Sequence, residues 1–296
     1  MSRFPIMQVD AFTNHPLGGN PCAVVFESDA LPAETMQAIA LEMNLSETAF
    51  VLQSDKADYR VRYFTPAEEI PMAGHPTIAT TFALIASGRL KLSSPVTSIA
   101  LEMQVGPIRV DVFQTNEKID RIVMTQKKPA FLKTYDPAEV MPVFSLTEDD
   151  LLPGSVIQTV STGTPQLMIP LKKHDALKRA CVDTQAYLKL RAASDFFSPH
   201  LFCLSGATAN GRTFARHFGT PPDTFEDPFT GSATGGMSAY LWHHGLIDDP
   251  IFVAEQGHWM GRPGQAFVEV VGSRDNIESV KVGGNAALVM EGQLML

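Results

Sequence analysis

The residue pattern predicts an α/β (α+β) chain of two similar lobes, each a curved mixed sheet wrapped around one buried helix. Three observations carry that expectation. Strand-like and helix-like segments alternate from the N-terminus. Two helical stretches are small or apolar on nearly every side, which suits an element surrounded by protein more than one lying on a surface. These two stretches also align without gaps, "AGHPTIATTFALIASGRL" from Ala73 on "TGSATGGMSAYLWHHGLI" from Thr230, and "GNPCAVVF" from Gly19 is echoed by "GTPQLMIP" from Gly163 in the same order. Two matches in register, about half a chain apart, read as an internal duplication.

In chain order, "IMQVDAF" and "CAVVFE" read as strands separated by the turn-rich "TNHPLGGNP". "PAETMQAIALEM" spaces Met36, Ile39, Ala40 and Met43 as one face of a helix behind a proline start. "SETAFVLQ" and "YRVRYFT" return to strands, and residues 74–88 read as a helix with Pro76 in its first turn and a glycine at its end. A boundary is expected near residues 125–130, giving an N-terminal lobe over 1–127 and a C-terminal lobe over 128–285. The last stretch, residues 286–296, reads as a strand that could join the first lobe.

Bulk properties narrow the function. A length of 296 residues allows two domains with a cleft between them. The net charge of -9, with 23 scattered basic residues, argues against a nucleic-acid binder while leaving room for a small anionic metabolite at a local site. No apolar run is long enough to span a bilayer and no signal-like start is present, so a soluble, cytoplasmic protein is expected. The three cysteines, Cys22, Cys181 and Cys203, are far apart and form neither a disulfide framework nor a CxxC pair.

Each of the two wrapped helices starts at a tight glycine turn, at Gly74 and Gly231. Free N–H groups and the positive end of the helix dipole make such a start a good anion holder. "EDPFTGSATGG" is not a P-loop, because no lysine follows its glycines, and it is not a nucleophile elbow, because Ser232 stands one place too early. The histidines include neither HExxH nor HxH, so no metal site is expected. Proton chemistry remains. Strand alternation places Glu47 on one face with Ala49 and Val51, where burial would raise its pKa toward neutrality. By spacing alone, the readings of Glu47 as a solvated strand end, His75 as a turn residue, Asp227 as an Asx turn and Ser232 as a helix cap come first.

The ordered motifs "DAFTNHPLGGNPCAVV", "MQAIALEMNLSETAFV", "FTPAEEIPMAGHPT", "STGTPQLMIPL", "EDPFTGSATGGMSAYL" and "EQGHWMGRPG" cover essentially the whole chain. Together they resemble the PhzF family, the phenazine-biosynthesis isomerase group that shares its fold with diaminopimelate epimerase and proline racemase. The resemblance implies a diaminopimelate epimerase-like fold with two pseudo-symmetric lobes, no cofactor and a homodimer. It implies Glu47 as the acid/base that moves a proton between carbons, with His75, Asp227 and Ser232 completing the polar site. Gly74, Thr77 and Gly231 are the expected substrate-binding residues at the duplicated turns. The epimerases carry catalytic thiols at positions occupied here by Ala73 and Thr230, so a two-cysteine mechanism is lost. Met72, Phe229 and the Gly235-Gly236 pair depart from common family choices, which bears on substrate identity. The alternatives are a non-catalytic metabolite-binding protein that retains the pocket, and a hydrolase or lyase using Ser232 or His75.

Overall fold

The first half of the chain builds eight strands and two helices: β1 (Arg3–Ala11), β2 (Asn20–Val25), α1 (Ala33–Met43), β3 (Glu47–Leu52), β4 (Tyr59–Phe64), β5 (Glu69–Ile70), α2 (Gly74–Ala86), β6 (Val96–Met103), β7 (Gly106–Thr115) and β8 (Lys118–Gln126). The computed structural model describes residues 2–93, 95–116, 118–219 and 223–296. Helix α1 begins after Pro32 and ends at Asn44, which takes the left-handed conformation with its N–H bonded to the Ala40 carbonyl. It buries Met36, Ile39 and Ala40, the face its spacing predicts.

The second half continues with β9 (Ala130–Tyr135), α3 (Pro137–Val140), β10 (Ile157–Ser161), β11 (Pro165–Leu171), α4 (His174–Arg179), α5 (Thr184–Ala192), β12 (Ser198–Cys203), β13 (Thr213–Phe218) and β14 (Glu226–Asp227). It closes with α6 (Gly231–His243), β15 (Ile251–Gln256), β16 (Gly264–Ser273), β17 (Asn276–Gly284) and β18 (Ala286–Met295). Among the described residues no helix is long and apolar enough to cross a membrane.

Strand pairing in the two halves is the same, orientation included. β1 to β2 is antiparallel, β2 to β3 parallel, β3 to β4 antiparallel, β4 to β5 antiparallel and β4 to β6 parallel, with β6, β7 and β8 following as an antiparallel meander. β10 to β17 repeat every step of this series. β8 and β17 then pair antiparallel and join the two series into one mixed sheet. The two remaining strands cross over. β9, which follows the first series, pairs with β10 of the second, and β18, which follows the second, pairs with β1 of the first.

The repeat extends to side chains. Arg62 grips Glu69 through two bonds of 2.7 Å and lies over the Phe64 ring. At the matching place on β13 and β14, Arg216 grips Glu226 at 2.8 and 2.7 Å and lies over Phe218. Such forks fix the short β5 and β14 against their neighbours, just before each central helix.

Helix α2 packs on β1, β2, β3, β8 and β18, while α6 packs on β10, β11, β16 and β17. Both are buried from their first residue onward, which is why neither shows an apolar stripe. Their hydroxyls are accommodated by bonding back along the helix: Thr77 to the Ala73 carbonyl and Thr81 to that of Thr77, matched by Thr234 to Thr230 and Ser238 to Thr234. One apolar core runs around both helices, a second lies under α3 to α5, and a third under α1.

Candidate active site

The two central helices touch at their starts. A Cβ on Gly74 would stand 2.6 Å from the Gly231 carbonyl carbon and 2.6 Å from the Ser232 nitrogen, distances at which backbone meets backbone. Glycine is required there by contact alone. Gly231 is confined on the other side by the Phe12 ring, 3.0 Å from where its Cβ would be. The duplicated glycine turns therefore abut, and a partly enclosed cavity opens beside them.

Glu47, Asp227, Thr230 and Ser232 line this cavity. Glu47 opens β3 directly beside Cys22 of β2 in the parallel register, and its side chain retains 16% exposure toward the cavity. His75, in the first turn of α2, sits behind it with Nδ1 3.2 Å from Glu47 Oε2. Asp227 reaches in from β14, so β3, α2 and β14 each bring one titratable group to the same point.

Burial, strengthened by the charges of Asp227 and Asp223, pushes the Glu47 carboxyl well above the usual carboxylate range. Burial also depresses His75 to about 4, against the attraction of Asp227. An ion pair would have moved both groups in the opposite directions. Desolvation of two buried groups outweighs their mutual attraction, and each is shifted toward its uncharged form.

Asn20 is the residue that sequence reasoning missed. It is fully buried at the start of β2, and its amide nitrogen donates to Asp227 Oδ1 at 2.7 Å and to the Phe229 carbonyl at 2.8 Å while standing 2.9 Å from His75 Nδ1. The amide has two hydrogens, and the two oxygens take them, so the third contact packs the His75 ring. Thr230 holds the other Asp227 oxygen at 2.5 Å, and Gln256 donates to the Asp227 carbonyl at 2.7 Å while accepting the Thr230 N–H at 3.1 Å. Thr230 thus supplies a hydroxyl that orients a carboxylate. The available signal was the Asn in "GGNP" facing Thr in the echoed "GTP".

Not every expected substrate contact falls on the cavity. Ser232 does, at the first turn of α6. Gly74 and Gly231 stand behind the wall in contact with each other, and their turns rather than their side positions shape it. Thr77 requires correction: its fully buried hydroxyl donates to the Ala73 carbonyl at 2.7 Å and meets the Tyr63 hydroxyl at 3.0 Å, so it stabilises the helix start instead of facing substrate.

The register also identifies what opposes Glu47. Cys22 pairs with Glu47, and the matching pair in the second half is Gln166 with Ser198. Ser198 donates to Gln166 Oε1 at 2.7 Å and lies 2.8 Å from His217 Nε2, and all three line the cavity. Arg191 lines the same cavity, stacked on Phe197 at 4.9 Å. The wall facing Glu47 therefore carries hydroxyl, amide and imidazole, but no carboxyl at the matching position.

Glu47, His75 and Asp227 offer one possible metal ligand atom each, all within 4.8 Å of one another. Asn20 and Thr230 each donate to one of the two Asp227 oxygens.

A family model described as phenazine biosynthesis-like protein matches residues 9–292. A relative from Escherichia coli K12, named uncharacterized isomerase YddE, is 36% identical over 301 residues covering 97% of each chain. Trans-2,3-dihydro-3-hydroxyanthranilate isomerase of Pseudomonas fluorescens is 33% identical, covering 97% of this chain and 98% of its own. A crystal structure of the Bacillus anthracis PhzF-family phenazine biosynthesis protein covers 100% of both chains with a TM-score of 0.87 at 30% identity. A hydroxyproline epimerase from Agrobacterium vitis shares the fold alone, with a TM-score of 0.70 at 12% identity over 99% of this chain and 93% of its own.

Proposed function

The chain belongs to the PhzF family, and from that premise we propose that it is a cofactor-independent isomerase, moving a proton between two carbons of a small cyclic or amino carboxylic acid. In this reading each half of the repeated topology forms one lobe around its central helix, the substrate sits where the two helix starts meet, and two copies of the chain form a homodimer. The carrying observation is Glu47: a buried carboxyl at the wall of the cavity whose pKa is raised by burial, backed by His75 at 3.2 Å, with Ser198 at the matching position in the second half.

Glu47 as a carboxylate takes a proton from one activated carbon and becomes the acid, the C–H electron pair moves through the substrate's unsaturation, and the acid returns the proton to a second carbon, restoring the carboxylate. No atom is gained or lost. Because one group serves both steps, both carbons present the same face to Glu47. A raised pKa keeps acid and conjugate base within reach of each other near neutral pH, the condition under which one group can serve as both. His75 backs Glu47 and the Asn20-braced Asp227 faces the substrate's heteroatoms, while Ser232 and the first turn of α6 receive the substrate carboxylate.

The test is incorporation of deuterium from heavy water at carbon, read by mass spectrometry across a panel of small carboxylic acids that includes trans-2,3-dihydro-3-hydroxyanthranilate. At least one panel member should exchange or isomerise, and Glu47→Gln should lower that rate by about 10²- to 10⁴-fold with the fold intact. Undiminished exchange in the variant sinks the assignment.

A further inference from the structure

A second cleft lies on the other side of Phe12 and shares no lining residue with the cavity at Glu47. It is bounded by β8, by the segment around His258, and by residues 12–15 and 283–285. Three of its lining side chains hold a buried polar atom with no hydrogen-bond partner among the described residues: Arg121 Nε, His258 Nδ1 and Asn285 Oδ1. Unpartnered buried atoms are uncommon in folded proteins, and these three occur on side chains around one cleft.

Arg121 is the centre of this arrangement. Its guanidinium carbon lies over two aromatic rings, 4.8 Å from the Phe113 centroid and 4.6 Å from the Phe267 centroid. No carboxylate of the described residues lies within salt-bridge distance of it. A guanidinium edge takes an oxyanion in two parallel bonds. The nearby acids are otherwise engaged: Asp120 accepts from Thr115 at 2.6 Å, and Glu255 is bound by Thr208 and Gln265 at 2.6 and 2.7 Å.

We propose that this cleft is a second ligand site, taking a small oxyanion-bearing molecule, a carboxylate or a phosphate, whose acidic group docks on the edge of Arg121 with Asn285 and His258 completing its polar contacts. The site is separate from the proposed isomerase chemistry. Phe12 divides the two, its ring stacked on Phe229 at 4.3 Å on the catalytic side.

The experiment uses the full chain, labelled with ¹⁵N at arginine, titrated with inorganic phosphate and separately with benzoate at ionic strength held constant with sodium chloride. The Arg121 Nε–H resonance, identified by its loss in Arg121→Lys, should move saturably with at least one probe. Benzoate alone points to an aromatic carboxylate ligand, phosphate alone to a phosphorylated one. The saturable gain in thermal stability from the same probe should weaken at least tenfold in Arg121→Met and persist in Arg191→Met, which removes the cation of the other cavity. A resonance that stays still, or that moves only as it does with added chloride, overturns the proposal. Stabilisation lost in Arg191→Met and kept in Arg121→Met overturns it as well, since the anion would then be using the cavity at Glu47. Should Arg121→Met not fold, the native resonance alone decides.

Discussion

His75 gives a prediction whose size can be worked from the fold. Its imidazole is buried at 2% exposure and its pKa falls from 6.5 to about 4. Between those values the unfolded chain takes up a proton that the folded chain refuses, so stability is full above pH 6.5 and is lost as pH falls through 4. A displacement from 6.5 to about 4 corresponds to about 3 kcal/mol lost between pH 7.5 and pH 4. His75→Gln removes the titration while keeping a polar side chain of similar reach. Urea unfolding of both proteins should show the variant less stable at pH 7.5, where it lacks the native packing against Asn20. The gap should shrink by about 3 kcal/mol at pH 4. If the gap is the same at both pH values, His75 titrates alike folded and unfolded, and the neutral-imidazole reading of the site fails with it.

Two further outcomes follow from the same geometry. The Glu47 carboxyl is raised, so the native protein is most stable below about pH 4.5 and loses stability as pH rises toward the folded pKa, whereas Gln cannot ionise. Urea titrations of Glu47→Gln should therefore show a stability advantage over the native protein that grows from pH 4.5 to pH 8, and an advantage that shrinks over that range would contradict a protonated Glu47. Gly74→Ala drives a Cβ to 2.6 Å from two backbone atoms of α6, and should cost about 3 kcal/mol and lower activity by misplacing Ser232. Calorimetry showing a native-like melting temperature would mean the helix starts can part without cost.

Much of this arrangement was legible in the sequence. The family resemblance agrees with the match over residues 9–292, and the gapless alignment of the two wrapped helices anticipated that Gly74 and Gly231 would stand at equivalent turns. Periodicity also set α1 and its buried face, because one helix face is a local property. Asn20 could not be weighed the same way. Its value lies in a bond to Asp227, 207 residues away, and nothing local to "GGNP" distinguishes that amide from a turn residue. Thr77 failed for the converse reason. It stands next to the site in sequence and matches Thr234 in the repeat, but a helical Thr can turn its hydroxyl back to the carbonyl four residues earlier, and both do. Ser198 emerged only from ladder register, which sequence spacing across a helical crossover does not fix.

The crossing of β9 and β18 has a consequence for how such a chain can exist at all. Each half of the repeat hands its final strand to the other, so a polypeptide cut after residue 127 would leave β1 with a bare edge and would itself lack β9's counterpart. The smallest self-sufficient unit of this topology is a reciprocal exchange. Two copies of a single half could satisfy it by trading strands as separate molecules, and a tandem gene would make the trade permanent. Once both copies lie on one chain they are free to diverge, which is how one can keep a carboxyl at the start of β3 while the other carries Ser198 in its place.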